Sequence, residues 1–147
     1  MASRFLKRDK VDVLARLPLF ENVSKRELGQ IAAKTVEMDR PAGTILTRAG
    51  RDGGLMFVIL DGVAEVEKDG TFLGRLGPGD VIGELSLIDG QPRSADVRAV
   101  TDLKVLELAQ DDFKSLVDSS PKFVQSLLRA LSLRIRDMDS RGLGTIR

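Results

Sequence analysis

Glu84 and Arg93 are the side chains of this sequence whose types and spacing invite a chemical reading, an acid directly after Gly83 and a base directly after Pro92 in the stretch GELSLIDGQPRSA. Nothing between them looks catalytic, so the pair points to binding. The segment GELSLIDG has the composition of a helical turn or two, and a helix N-terminus offers an anion unpaired N–H groups and a partial positive charge. Gly83, with no Cβ, lets an anion approach the backbone. Arg93 supplies a planar, permanently charged fork that bonds two oxygens of one phosphate, a task for which lysine is a poorer choice. Glu84 repels a phosphate and suits a hydroxyl donor such as a ribose 2′-OH. The loop therefore describes a ligand that carries a hydroxyl and a phosphate close together. Taken singly, the residues have plainer roles: Glu84 on a helix dipole, Arg93 solvated at the surface, Asp89–Gly90 as a turn.

Composition removes most rivals. The chain has 147 residues, enough for about one domain, and its 42% hydrophobic and 31% charged residues are those of a globular protein. A formal net charge of +1 gives no global pull toward nucleic acid or an anionic membrane, so any anion site is local. The absence of cysteine and histidine excludes thiol nucleophiles, disulfides, imidazole acid–base chemistry and metal sites built on cysteine or histidine. The chain is read as non-enzymatic, with no metal and no cofactor. No run approaches the ~20 apolar residues of a membrane span, and the start MASRFLKRDK lacks a secretory apolar segment, which makes the cytoplasm the simplest address.

The elements that must position the loop follow from periodicity. Between Asp9 and Lys34, apolar residues at helical spacing and the intervening Pro18 predict two short helices, the second capped by Asn22 or Ser24, with Glu27 at capping-box distance from the serine. From about Val36 to Leu108 the period shortens to glycine-punctuated runs: TILT, LMFVIL, VAEVEK, TFLGRL, VIGELSLI, ADVRAV and LKVLEL. These predict many antiparallel strands in a sandwich or jelly-roll barrel. After Leu108 the helical period returns, with a short helix in QDDFKSLVDSS and a longer one that Ser120 caps, Pro121 opens and Gly142 ends.

The stretch IGELSLIDGQPRSADVRA resembles the phosphate-binding cassette of the cyclic nucleotide-binding domain family, and the likeness extends through AGTILTRAG, FVILDGVAEV and LGPGDVIGE to the last helix. The resemblance implies an α+β fold, mainly an antiparallel β-roll (jelly-roll barrel) with helices at both termini. It implies one domain, 1–147, with helices in 1–35, the roll in 36–108 containing a cassette at 82–96, and helices in 109–147. The implied ligand is cAMP, with cGMP a close competitor. Gly83 would allow close approach, Glu84 would accept the ribose 2′-OH, and the N–H groups of Leu85 and Ser86 would face the phosphate. Arg93 would pair with the phosphate, while Ser94 and Ala95 complete the set. In the family an alanine after the arginine goes with cAMP and a threonine with cGMP; Ser94 lies between them. The position before Gly83 is often aromatic in the family but is Ile82 here, and without tryptophan or tyrosine a lid over the base must use other residues. Phe123, Leu127 and Leu131 are the candidates.

The last helix also carries Val124, Leu128, Leu131, Ile135 and Met138 at alternating spacings of four and three, the repeat of a coiled-coil seam. Such a stripe packs on the roll, or makes a homodimer, or meets a regulated effector. The leading expectation is a cyclic nucleotide sensor whose last helix changes position on binding. Its alternative is the same fold with a vestigial cassette, acting as a docking or dimerisation module. With only LGTIR after Gly142, this chain alone is not expected to read DNA sequence.

Overall fold

The computed structural model describes residues 7–51, 53–83 and 92–140. The described residues divide into two compact units, one spanning Lys34–Lys114 and one combining Lys7–Ala33 with residues 115–140.

The first unit holds eight strands among the described residues: β1 (Val36–Arg40), β2 (Ile45–Thr47), β3 (Leu55–Asp61), β4 (Ala64–Lys68), β5 (Thr71–Leu76), β6 (Val81–Ile82), β7 (Asp96–Ala99) and β8 (Leu103–Ala109). They form two four-stranded antiparallel sheets, in the orders β1-β8-β3-β6 and β2-β7-β4-β5. The roll is thus a pair of sheets around one core. Alternation along each strand sends every second side chain inward. Phe57 and Ile59 of β3, Leu103 and Val105 of β8 and Ile82 of β6 meet Ala64, Val97 and Ala99 of the other sheet.

Strand sequences follow strand positions. β3 and β8 pair from Leu55↔Ala109 to Asp61↔Lys104 in the middle of their sheet, and the alternate residues Met56, Val58, Leu106 and Leu108 are buried as well. LMFVIL therefore reads as continuously apolar. β1 lies at the margin, and its sequence VEMDR is mostly polar, with only Met38 packed on the core. Its charges pair with β8: Arg40 with Glu107, and Asp39 with Lys104 at 3.0 Å.

The helical unit contains α1 (Lys7–Ala15), a single 3-10 turn at Pro18–Phe20 and α2 (Lys25–Lys34); α3 (Gln110–Ser119) leads into α4 (Pro121–Ser140). Both expected N-terminal helices are present, and Ser24 rather than Asn22 caps the second, its Oγ accepting the Glu27 N–H at 3.2 Å. The reciprocal half of the capping box is replaced by a longer link, because the Glu27 carboxylate accepts a hydrogen bond from Ser120 Oγ. Ser120 in turn caps α4 by accepting the Phe123 N–H at 3.2 Å, with Pro121 at the first helical position. One chain of hydrogen bonds so joins the N-termini of two helices. Beside it the Phe20 and Phe123 rings stack with centroids 5.5 Å apart, and buried Ser126 accepts the Asn22 N–H at 3.0 Å. The expected helix exit at Gly142 lies outside the described residues.

Ser120→Ala removes the α4 cap and the Glu27 donor together. It is expected to cost about 1–2 kcal/mol in urea unfolding, with Ser120→Thr recovering much of the loss; an unchanged midpoint in the alanine variant would show that the link carries no stability.

Candidate anion-binding site

Arg93 is only 7% exposed, and its place is set by backbone as much as by side chain. Its N–H donates to the Arg51 carbonyl at 2.8 Å and its carbonyl accepts the Gly50 N–H at 2.9 Å, which ties the start of the β7 segment to the turn after β2. The guanidinium donates from Nη1 to the Gly83 carbonyl at 3.0 Å and from Nη2 to the Leu55 carbonyl at 2.6 Å. One side chain so reaches the start of β3 and the residue that follows β6.

Room for it comes from two glycines. A Cβ on Gly83 would stand 2.0 Å from Arg93 Nη1, and one on Gly53 would stand 2.2 Å from Nε. Gly83 also has a φ of +87°, a region that L side chains rarely adopt. At Gly83 the close approach seen here is that of Arg93 itself, whereas the sequence suggested the approach of an anion. Sequence reasoning missed Gly53 and Leu55. Gly53 falls in a glycine-rich stretch between strand runs, where spacing alone predicts only a turn, and Leu55 acts through its carbonyl, which no side-chain pattern reports.

Arg93 lines a pocket of about 670 Å³ in this unit, a size suited to a small organic ligand. Ile45, Leu46, Leu55 and Phe57 give it an apolar wall, and Thr47, Arg48, Arg51 and Arg93 give it a polar one. Every charged group among these described lining residues is an arginine, and such groups attract an anion even where the chain as a whole is nearly neutral. The apolar wall can take the flat, less polar part of the same ligand.

The other expected site residues fall in three groups. Ser94 is exposed beside the arginine, and half-buried Ala95 accepts a hydrogen bond from Thr47 Oγ1 at 2.9 Å, fastening β2 to the end of the cassette segment. Glu84, Leu85 and Ser86 lie outside the described residues. Phe123 and Leu127 are buried in the helical unit, the former against Phe20, while Leu131 is half-buried. Of the seam residues, Val124 is half-buried, Leu128 and Ile135 are exposed, and the Met138 side chain lies outside the described ones. Among the described residues, no helix is long and apolar enough to cross a membrane, and no group of three or more acidic side chains could hold a metal ion.

Three neighbouring glycines provide an internal comparison. Gly83→Ala and Gly53→Ala must displace the Arg93 guanidinium and are each expected to cost about 1–3 kcal/mol, whereas a Cβ on Gly54 meets nothing within 4 Å and Gly54→Ala should be near neutral. Thermal melts of the three variants check this; equal effects at all three would refute the packing account.

The chain matches the family model described as the cyclic nucleotide-binding domain over residues 38–120, more than half of its length. It is 35% identical over 113 residues to a cyclic nucleotide-gated potassium channel of Mesorhizobium japonicum, an alignment covering 77% of this chain and 31% of the channel. It is 27% identical over 130 residues to the CRP-like cAMP-activated global transcriptional regulator of Mycobacterium tuberculosis, covering 85% of this chain and 58% of the regulator. The chain thus spans less than two thirds of either relative. The regulatory domain of Toxoplasma gondii PKA, solved with cAMP, superimposes with a TM-score of 0.76 at 26% identity, covering 95% of this chain and 55% of that one. With its two-sheet roll and this match over most of the strand region, the chain belongs to the cyclic nucleotide-binding domain family.

Proposed function

We propose that this chain is a non-catalytic cyclic nucleotide sensor that binds cAMP, with cGMP as a close competitor. The observation that carries the reading is the buried Arg93 guanidinium beside Gly83 in a pocket whose described charges are all positive. The similarity to a cAMP-activated regulator and to a kinase regulatory domain solved with cAMP supports it.

On this reading Arg93 turns its fork to the cyclic phosphate, whose charged oxygens are stronger acceptors than the neutral carbonyls of Gly83 and Leu55. The N–H groups of Leu85 and Ser86 face the same phosphate, Glu84 accepts the ribose 2′-OH, and Ser94 and Ala95 close the segment. The apolar wall takes the base side. Because the Arg93 backbone is bonded to the Gly50–Arg51 turn, rearrangement at the phosphate is passed to that turn. The output is a repositioned α4, which requires that the two positions differ in nucleotide affinity. Since Phe123 and Leu127 are engaged with the helical unit, Leu131 is the lid candidate with side-chain surface to offer. One observation favours the second reading, a docking or dimerisation module without ligand: Leu128, Leu133 and Ile135 of α4 are 60%, 52% and 40% exposed.

Isothermal titration of cAMP and cGMP into protein denatured and refolded to strip carried nucleotide separates the readings. Saturable binding is expected, weakened in Arg93→Ala by about 2–5 kcal/mol, or roughly 30-fold to several thousandfold. No heat and no melting shift with either nucleotide at millimolar concentration would overturn the sensor reading in favour of the docking module.

A further inference from the structure

The Arg48 and Arg51 side chains contribute only charge to the reading above, with no contact to the nucleotide assigned to either, yet both line the pocket that holds Arg93. They are the two ends of one β-turn in RAGR. The Arg51 N–H donates to the Arg48 carbonyl at 3.1 Å, and Gly50 at the third position has a φ of +81°, which a type II turn requires there. A β-turn brings its end Cα atoms within about 7 Å, so two exposed cationic side chains leave the backbone close together at the pocket.

The turn is held from both sides. Gly50 and Arg51 exchange backbone hydrogen bonds with Arg93 at 2.9 and 2.8 Å, and the Ala49 N–H donates to the Asp96 carboxylate at 2.6 Å. These bonds fix the backbone from which the outer arginines spring relative to the buried one. Concentrating like charges costs free energy that an arriving anion relieves, and a cleft lined by one sign of charge raises the rate at which such a ligand is captured.

We propose that Arg48 and Arg51 form a capture arm that draws the anionic nucleotide toward Arg93, and that Asp96 is the positioning residue that keeps the arm on the pocket. The proposal rests on the cyclic nucleotide reading and divides its kinetics. Exposed charges at a binding site set the association rate and its salt dependence, whereas a buried charged partner sets dissociation.

Stopped-flow binding of a fluorescent cAMP analogue to the whole chain, at low salt and at physiological ionic strength where screening sets in over about 8 Å, reads both rates. In Arg48→Ala/Arg51→Ala the association rate is expected to fall roughly tenfold at low salt with a flattened salt dependence and an almost unchanged dissociation rate, and the double lysine variant should restore it. Asp96→Ala separates positioning from charge: removing a carboxylate near an anion site should speed association by electrostatics alone, whereas loss of the positioned turn slows it. Wild-type binding with unchanged association in the double alanine variant would overturn the capture arm and leave the sensor reading standing. Faster association in Asp96→Ala would overturn the positioning role. A wild-type protein that binds no cyclic nucleotide would overturn the sensor reading and the arm with it.

Discussion

A guanidinium with only 7% of its residue exposed must find acceptors inside the protein, and Arg93 takes them from carbonyls at two separate strand ends, those of Leu55 and Gly83. Burying a charge costs several kcal/mol unless geometry and hydrogen bonding offset it. The surrounding structure meets that demand with backbone: two glycines leave space, and the Gly50–Arg51 turn clamps the Arg93 peptide. Displacing any of these pieces disturbs the arginine, and moving the arginine disturbs all of them.

The sheets supply the rigidity this arrangement needs. β3, whose first residue offers the Leu55 carbonyl, is paired with β8 along its length and with β6 at Phe57 and Val58, which fixes the spacing between Leu55 and the Gly83 carbonyl just past β6. β2 and β7 belong to the opposite sheet and carry the segments holding the RAGR turn and Arg93. The site is therefore assembled where the two sheets share an edge of the core, lined on one side by Leu55 and Phe57 and on the other by Ile45 and Leu46. A ligand that draws on the arginine acts at once on residues from both sheets.

Much of this was legible in the sequence, for reasons that differ between elements. The strands of the roll were visible because period-two burial and turn glycines leave a local signature, and the Ser24 and Ser120 caps because capping is decided within a few residues. β1 gave a weak signal, since a marginal strand with paired charges does not need an apolar sequence. Arg93 was legible as a candidate anion partner by its type and place in the motif. Gly53 and Leu55 were not, because their contribution is space and a carbonyl brought in across 40 and 38 residues by the fold. Phe123 illustrates the same limit from the other direction: its position in the last helix suggested a lid, and its stacking on Phe20 is a tertiary contact that helical periodicity does not contain.

The most direct test of the account is a crystal structure of the chain with cAMP. The account predicts the cyclic phosphate within hydrogen-bond distance of the Arg93 guanidinium in the pocket lined by Arg48, Arg51 and Leu55, with Gly83 against it. Nucleotide bound elsewhere, while Arg93 keeps both its bonds to the Gly83 and Leu55 carbonyls, would contradict it.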